Sequence, residues 1–145
     1  MVTTISKQYT FEAAHQLVGY EGKCARLHGH SYVVVVGVTG ELIHHGSSAN
    51  MVMDYAELDE IVKPIVEEMD HKFLAQGKEP IVEHLTEFYL VGLRTTAENL
   101  AQHIFSRIRL NASKRRPNLA YLSVEVRETA KTTAIVGGPP YEHEG

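Results

Sequence analysis

The sequence predicts an α+β fold, an antiparallel sheet covered by helices on one face. Three observations carry this. The segments "TTISKQYTFEAAH" and "LAYLSVEVRE" alternate apolar and polar residues, as half-buried strands do. Two central stretches, beginning near Asp54 and Thr95, change to apolar spacings of three and four residues, the period of a helix that buries one face. Runs of strands flank these helices, which is the element order of an α+β domain.

In chain order, Ile5, Lys7, Tyr9 and Phe11 set the alternation of the first strand. "HSYVVVVGVTGEL" follows, rich in β-branched residues and ended by Gly40. The two pair as a hairpin across the loop Leu17 to Leu27, and "HHGSSAN" is a polar connection. Asp54 and Glu57 have the spacing of a capping box, and Leu58, Ile61, Val62, Ile65 and Met69 follow at helical spacing. Pro64 inside this pattern predicts a kink or a local irregularity. "EFYLVGL" allows a short extra strand between the helices. Thr95 and Glu98 are spaced as a second capping box. Leu100, Ile104 and Ile108 line the apolar face of that helix, and Arg107 and Arg109 suit its C-terminal dipole. "KRRPN" ends it. "LAYLSVEVRE" and "KTTAIVGG" complete a four-stranded sheet, and a poorly ordered tail is expected from about residue 138 to 145. No linker, repeat or charge block divides residues 1–145, so they read as a single domain.

The formal net charge of −4 gives no bulk electrostatic reason to expect a nucleic-acid or membrane-surface partner. The run "YVVVVGV" is far too short to span a bilayer, and the N-terminal residues lack an apolar signal core. A single cysteine cannot form an intramolecular disulfide, which fits a cytoplasmic setting. Nine histidines against one cysteine suit a histidine metal site better than a cysteine-rich zinc finger.

His28 and His30, in "HGH", are two residues apart at the head of a predicted strand, so both face the same way. The hairpin partner ends in "FEAAH" and brings His15 alongside them. Three protein ligands with an open fourth position is the pattern of a catalytic zinc site. Gly29 gives the backbone latitude between the two histidines. Polar histidines at a strand end are the bland alternative, and His15 tips the balance towards metal. His44, His45, His84, His103 and His143 lack such partners and read as surface residues. Cys24 is open between three readings: a fourth ligand that closes the site, a nucleophile or base beside the metal, or an inert thiol. Asp70 and His71, in "MDHKF", suit proton transfer, a carboxylate fixing the imidazole tautomer. A histidine at a helix end is equally a common dipole-satisfying residue. Glu128 ends a strand, and its carboxylate can accept two parallel hydrogen bonds from the ring N–H and amino group of a 2-amino-4-oxo heterocycle. A solvated strand-end glutamate is the plain alternative.

Six blocks, "FEAAH", "CARLHGH", "MVMDYAELD", "LDEIV…MDHKFLA", "TAENLAQHIF" and "VRETAKTTA", together resemble the 6-pyruvoyl-tetrahydropterin synthase family from about Thr10 to Val136. The resemblance implies the T-fold, in which subunits associate into a β-barrel and two barrels stack as a homohexamer. It implies Zn2+ on His15, His28 and His30, Cys24 as general base or acid, an Asp70–His71 pair, and Glu128 as pterin anchor, with Thr96 near the pterin. It also implies active sites between subunits, so that Asp70 and His71 can serve a neighbour's Cys24.

Family members act on 7,8-dihydroneopterin triphosphate, a small-molecule substrate. Three residues separate Cys24 from His28. This short spacing resembles the bacterial 6-carboxy-5,6,7,8-tetrahydropterin synthases of the queuosine (7-deazapurine) pathway, whereas animal 6-pyruvoyl synthases have a longer insert. The expected activity is therefore a zinc-dependent carbon–oxygen lyase. The alternatives are the pyruvoyl-forming reaction and a non-catalytic zinc- or pterin-binding module. Lys23, Arg26 and Lys131 are candidates for contacts with the triphosphate. Two departures from the family pattern stand near the expected pocket rim: the long segment "AQGKEPIVEHLTEFYLVGLR", and Thr95 where many members have proline.

Overall fold

The structure is a computed structural model and describes residues 1–112 and 117–141. Six strands and two α-helices follow in the order β1 (Thr3–His15), β2 (His28–Gly40), α1 (Tyr55–Met69), β3 (Lys72–Ala75), β4 (Tyr89–Leu90), α2 (Ala97–Ala112), β5 (Leu119–Thr129) and β6 (Thr132–Gly138). Short 3₁₀ turns occupy Lys23–Ala25 and Pro80–His84. The sheet order is β4-β3-β1-β2-β5-β6. The α+β class is as expected, and the four predicted strands form its antiparallel part, β1-β2-β5-β6.

The expected four-stranded, wholly antiparallel sheet is corrected to a six-stranded mixed one. β3 runs parallel to β1, pairing Ala13 with Lys72 and Ala14 with Phe73, and β4 runs parallel to β3. β3 escapes sequence reading because Phe73, Leu74 and Ala75 are all buried, so it has no two-residue alternation. The extra strand allowed by "EFYLVGL" is β4.

Alternation on the long strands builds the core. Tyr9, Phe11, Ala13 and His15 of β1 face inward, as do Tyr32, Val34, Val36 and Val38 of β2 and Leu122, Val124 and Val126 of β5. Against them pack Leu58, Ile61, Val62, Ile65 and Met69 of α1, and Leu100, Ile104 and Ile108 of α2. Asp54 caps α1 as expected, its carboxylate accepting from the Ala56 N–H at 2.8 Å. Pro64 does not interrupt α1. It lies on the exposed face of the helix, where its ring meets solvent rather than the core.

The cap of α2 is one residue later than the sequence spacing suggested. Thr96 is the capping residue, its Oγ1 accepting from the Asn99 N–H at 3.2 Å, and Asn99 returns a bond to the Arg94 carbonyl. Thr95 is freed for another task. His103 is also corrected: it is half-buried between α2 and β4, its Nε2 2.7 Å from the Tyr89 hydroxyl, which also accepts from Arg107 at 2.9 Å. Burial, and then the Arg107 charge, lower its pKa. His44, His45 and His84 are exposed as expected, and His143 lies outside the described residues. Of the expected tail, Gly138 closes β6 and Pro140 is buried, while residues 142–145 lie outside the described part.

The long segment after β3 is held by Glu79, which is 3% exposed. Its carboxylate accepts from the backbone N–H groups of Gln76, Gly77 and Lys78 at 2.7, 2.8 and 3.1 Å. Burial alone would raise its pKa, but these donors outweigh it and hold the group below the usual glutamate range. Glu79→Ala is expected to cost about 1–3 kcal/mol in denaturant unfolding, because three backbone N–H groups lose a charged acceptor. Glu79→Gln should cost less. The folded pKa is depressed, so the carboxylate's contribution is fully present above the unfolded value of about 4.3 and is lost as pH falls through the folded one. The stability gap between the unmodified chain and Glu79→Gln should therefore close on acidification; a gap that widened would contradict the assignment.

A three-histidine metal centre at one end of the sheet

β1 and β2 pair in register through His15 opposite His28, with Ala13 opposite His30. This register, together with alternation, puts all three histidines on the helix-covered face, just beyond the apolar core. Their ligand nitrogens lie within 4.8 Å of one another. His15 is 1% exposed, and His28 and His30 are half-buried. Gly29 does not turn the chain here: it lies within β2, and a Cβ at that position would come within 3.2 Å of the Ala13 carbonyl oxygen. Its role is close approach of the two strands.

The hydrogen bonds fix the tautomers. His15 Nδ1 donates to the Thr95 carbonyl at 2.9 Å, with Thr95 Oγ1 at 3.2 Å. His28 Nδ1 donates to the Arg26 carbonyl at 2.7 Å. In the neutral form each ring therefore turns its Nε2 lone pair towards the other, and these two nitrogens are 3.0 Å apart. Burial lowers the His15 pKa to about 4, with smaller effects from His28 and His30, so this imidazole is neutral at pH 7. His30 is shifted down as well, by burial and then by His28. Two facing lone pairs at this distance repel unless a cation lies between them. The donor set thus fits a metal ion, and carbonyls that orient the ligating imidazoles are its outer shell.

Thr95 was missed as an orienting residue by sequence reading. Counting back from Asn99 as the third helical residue places the cap on Thr96 and releases Thr95, and this was the available signal. Thr96 lies at the same helix start, with its hydroxyl engaged in the cap.

Cys24 lies in the 3₁₀ turn of the β1–β2 loop, half-buried, its carbonyl accepting from the Leu17 N–H at 3.0 Å. It is not part of the three-histidine group. Glu128 follows the inward-facing Leu122, Val124 and Val126 on β5, half-buried at an irregularity between Val126 and Thr129. It makes no hydrogen bond among the described residues. Burial, then the nearby Glu98, raise its pKa, while His28 opposes them. Asp70 and His71 do bond to each other, Nδ1 to Oδ2 at 2.8 Å. Asp70 Oδ1 also accepts from the Glu12 N–H at 2.8 Å, and these two bonds hold its pKa low. His71 has a positive φ of 58° and ends α1 in a left-handed turn that leads directly into β3. Of this pair, His71 lines a cavity of about 580 Å³, which is also lined by the outward-alternating Glu12, Ala14, Gly29 and Ser31, by Lys72, and by His30 of the histidine group. Lys23, Arg26 and Lys131 are exposed. Among the described residues no helix is long and apolar enough to cross a membrane.

A helix-backed mixed sheet with three histidines that could hold a metal ion at one end of its covered face defines a T-fold protein. Residues 4–139 match the family model of 6-pyruvoyl tetrahydropterin synthase, and the chain belongs to that family. It is 38% identical over 114 residues to the 6-carboxy-5,6,7,8-tetrahydropterin synthase of Haemophilus influenzae, covering 72% of this chain and 81% of the relative. It is 37% identical over 140 residues to the Synechocystis protein of the same name, covering 93% of each. A solved 6-pyruvoyl tetrahydropterin synthase from Plasmodium falciparum shares the fold, with a TM-score of 0.74 at 22% identity over 95% of this chain and 98% of that one.

Proposed function

We propose that the chain is a zinc-dependent 6-carboxy-5,6,7,8-tetrahydropterin synthase, a cytoplasmic lyase that converts 7,8-dihydroneopterin triphosphate and water to 6-carboxytetrahydropterin, acetaldehyde and triphosphate in the 7-deazapurine (queuosine) pathway. The observation that carries this reading is the convergence of the His15 and His28 Nε2 atoms, 3.0 Å apart, with His30 within 4.8 Å of both. The short Cys24–His28 spacing and the names of the two bacterial relatives favour the carboxy-forming activity.

His15, His28 and His30 hold the zinc, whose contribution is Lewis-acid polarisation of hydroxyls on the substrate side chain. Glu128 accepts from the ring N–H and the exocyclic amino group of the pterin and so fixes which side-chain carbon meets the proton-transfer groups. Thr96 lies near that ring. Cys24 takes a proton from the side chain, and His71, held in one tautomer by Asp70, exchanges protons on the other side. Triphosphate departs, water adds at the side-chain carbon next to the ring and supplies the second carboxylate oxygen, and cleavage of the bond from that carbon to the next releases acetaldehyde. The His71 side chain is 77% exposed, which suits a pair that completes its site in a second subunit of a hexamer.

Incubation of the zinc-loaded protein with 7,8-dihydroneopterin triphosphate, followed by mass spectrometry, tests the reading. Acetaldehyde and 6-carboxytetrahydropterin are expected. Pyruvoyl-tetrahydropterin would assign the other family activity, and unchanged substrate beside an active control would leave a binding module.

A further inference from the structure

Tyr32 is the one residue of "HGHSY" that no role above absorbs. It stands two residues after His30 on the same strand face, completely buried, with its ring stacked on Phe11 at 4.9 Å and 5.3 Å from the His30 ring. Its hydroxyl is buried and has no hydrogen-bond partner. A buried donor without an acceptor is costly, so it marks a place where a partner arrives in the working state.

The β2–β5 register shows which group that is. Val33 pairs with Arg127 at the end of this ladder, so Tyr32 and Glu128 are the next residues beyond it on neighbouring strands. The Glu128 charge acts on the Tyr32 hydroxyl. Glu128 is itself without a hydrogen bond among the described residues. An unpaired O–H donor and an unpaired carboxylate acceptor thus face the same space across two neighbouring strands.

We infer that Tyr32 is a positioning residue for Glu128: when the heterocycle binds, its hydroxyl donates to the carboxylate, directly or through one ordered water. The carboxylate then has its orientation fixed from the protein side while it accepts the two ring donors from the other. The inference rests on the pterin reading of the site and adds to it the group that aims the anchor.

The test is Tyr32→Phe in the zinc-loaded protein. Phenylalanine keeps the stack on Phe11 and removes only an unsatisfied hydroxyl, so metal content and thermal stability should hold. A hydrogen bond to a charged group is lost from the bound state, so KM should rise on the order of tenfold with kcat changed by less than about threefold. Calorimetry with a phosphate-free 2-amino-4-oxopteridine should show a similar loss of affinity. In a Glu128→Gln background the same substitution should add little, because both changes act on one interaction. Equal pteridine affinity in the unmodified chain and Tyr32→Phe, or fully additive losses in the double variant, overturns the inference and leaves the pterin reading standing. No pteridine binding by the unmodified chain overturns both.

Discussion

His28→Ala is expected to empty the metal centre. The substitution removes one of the two nitrogens that face each other at 3.0 Å and leaves His15 and His30. Loss of an outer-shell partner weakens metal binding by roughly 10–100-fold, and loss of a ligand should exceed this. Metal analysis after dialysis should find the variant largely free of zinc, and turnover should be lost with it. The fold should persist, because His28 begins β2 and the β1–β2 ladder is made by backbone groups. In chelator, the variant should melt no lower than the metal-stripped unmodified chain, since the repulsion between two facing lone pairs has been removed. Full zinc occupancy in His28→Ala would refute the ligand assignment.

Cys24→Ala should give the opposite pattern: zinc retained and turnover reduced by about 10²–10⁴-fold, the range supplied by a positioned proton-transfer group. The basis is that Cys24 is not among the converging ligand atoms, yet lies in the loop that joins the two histidine-bearing strands. The backbone of this turn is tied by the Leu17 N–H to Cys24 carbonyl bond, which alanine keeps, so the loop should not collapse. Parallel metal analysis and product assay of this variant and His28→Ala separate the two roles. A Cys24→Ala protein that lost both zinc and activity would make Cys24 a fourth ligand.

The further step is specificity within the site. Glu128 faces His28, Glu98 and Tyr32 from a position set by β5, which is far from the histidines in sequence. Glu128 and the three histidines are therefore brought together by strand pairing, so a one-residue slip of β5 would turn Glu128 to the other face.

Much of this was legible in the residues alone. The four long strands and both helices follow from periodicity, because each buries one face and must alternate or repeat accordingly. The metal triad was legible for the same reason: "HGH" puts two imidazoles on one face, and a hairpin of matched length returns "FEAAH" beside them. Tyr32 was equally legible as the next inward position after His30. Its unsatisfied hydroxyl was not, since satisfaction depends on neighbours from other strands.

What only the tertiary structure decided shares one physical cause: contacts between segments that carry no local pattern. β3 is buried at three successive positions, so no alternation announces it, and it pairs parallel to β1 directly after the left-handed turn at His71. Thr95 holds His15 across 80 residues of sequence through a backbone carbonyl, a group every residue has. His103 looked like a surface histidine because its partners, Tyr89 and Arg107, matter only once β4 lies on α2. The sequence by itself determined which residues could do chemistry and which faces they share, because side-chain direction follows from local backbone period. Which hydrogen-bond partners orient them, and which cavity His71 lines, were decided by packing, because those distances exist only in the folded chain.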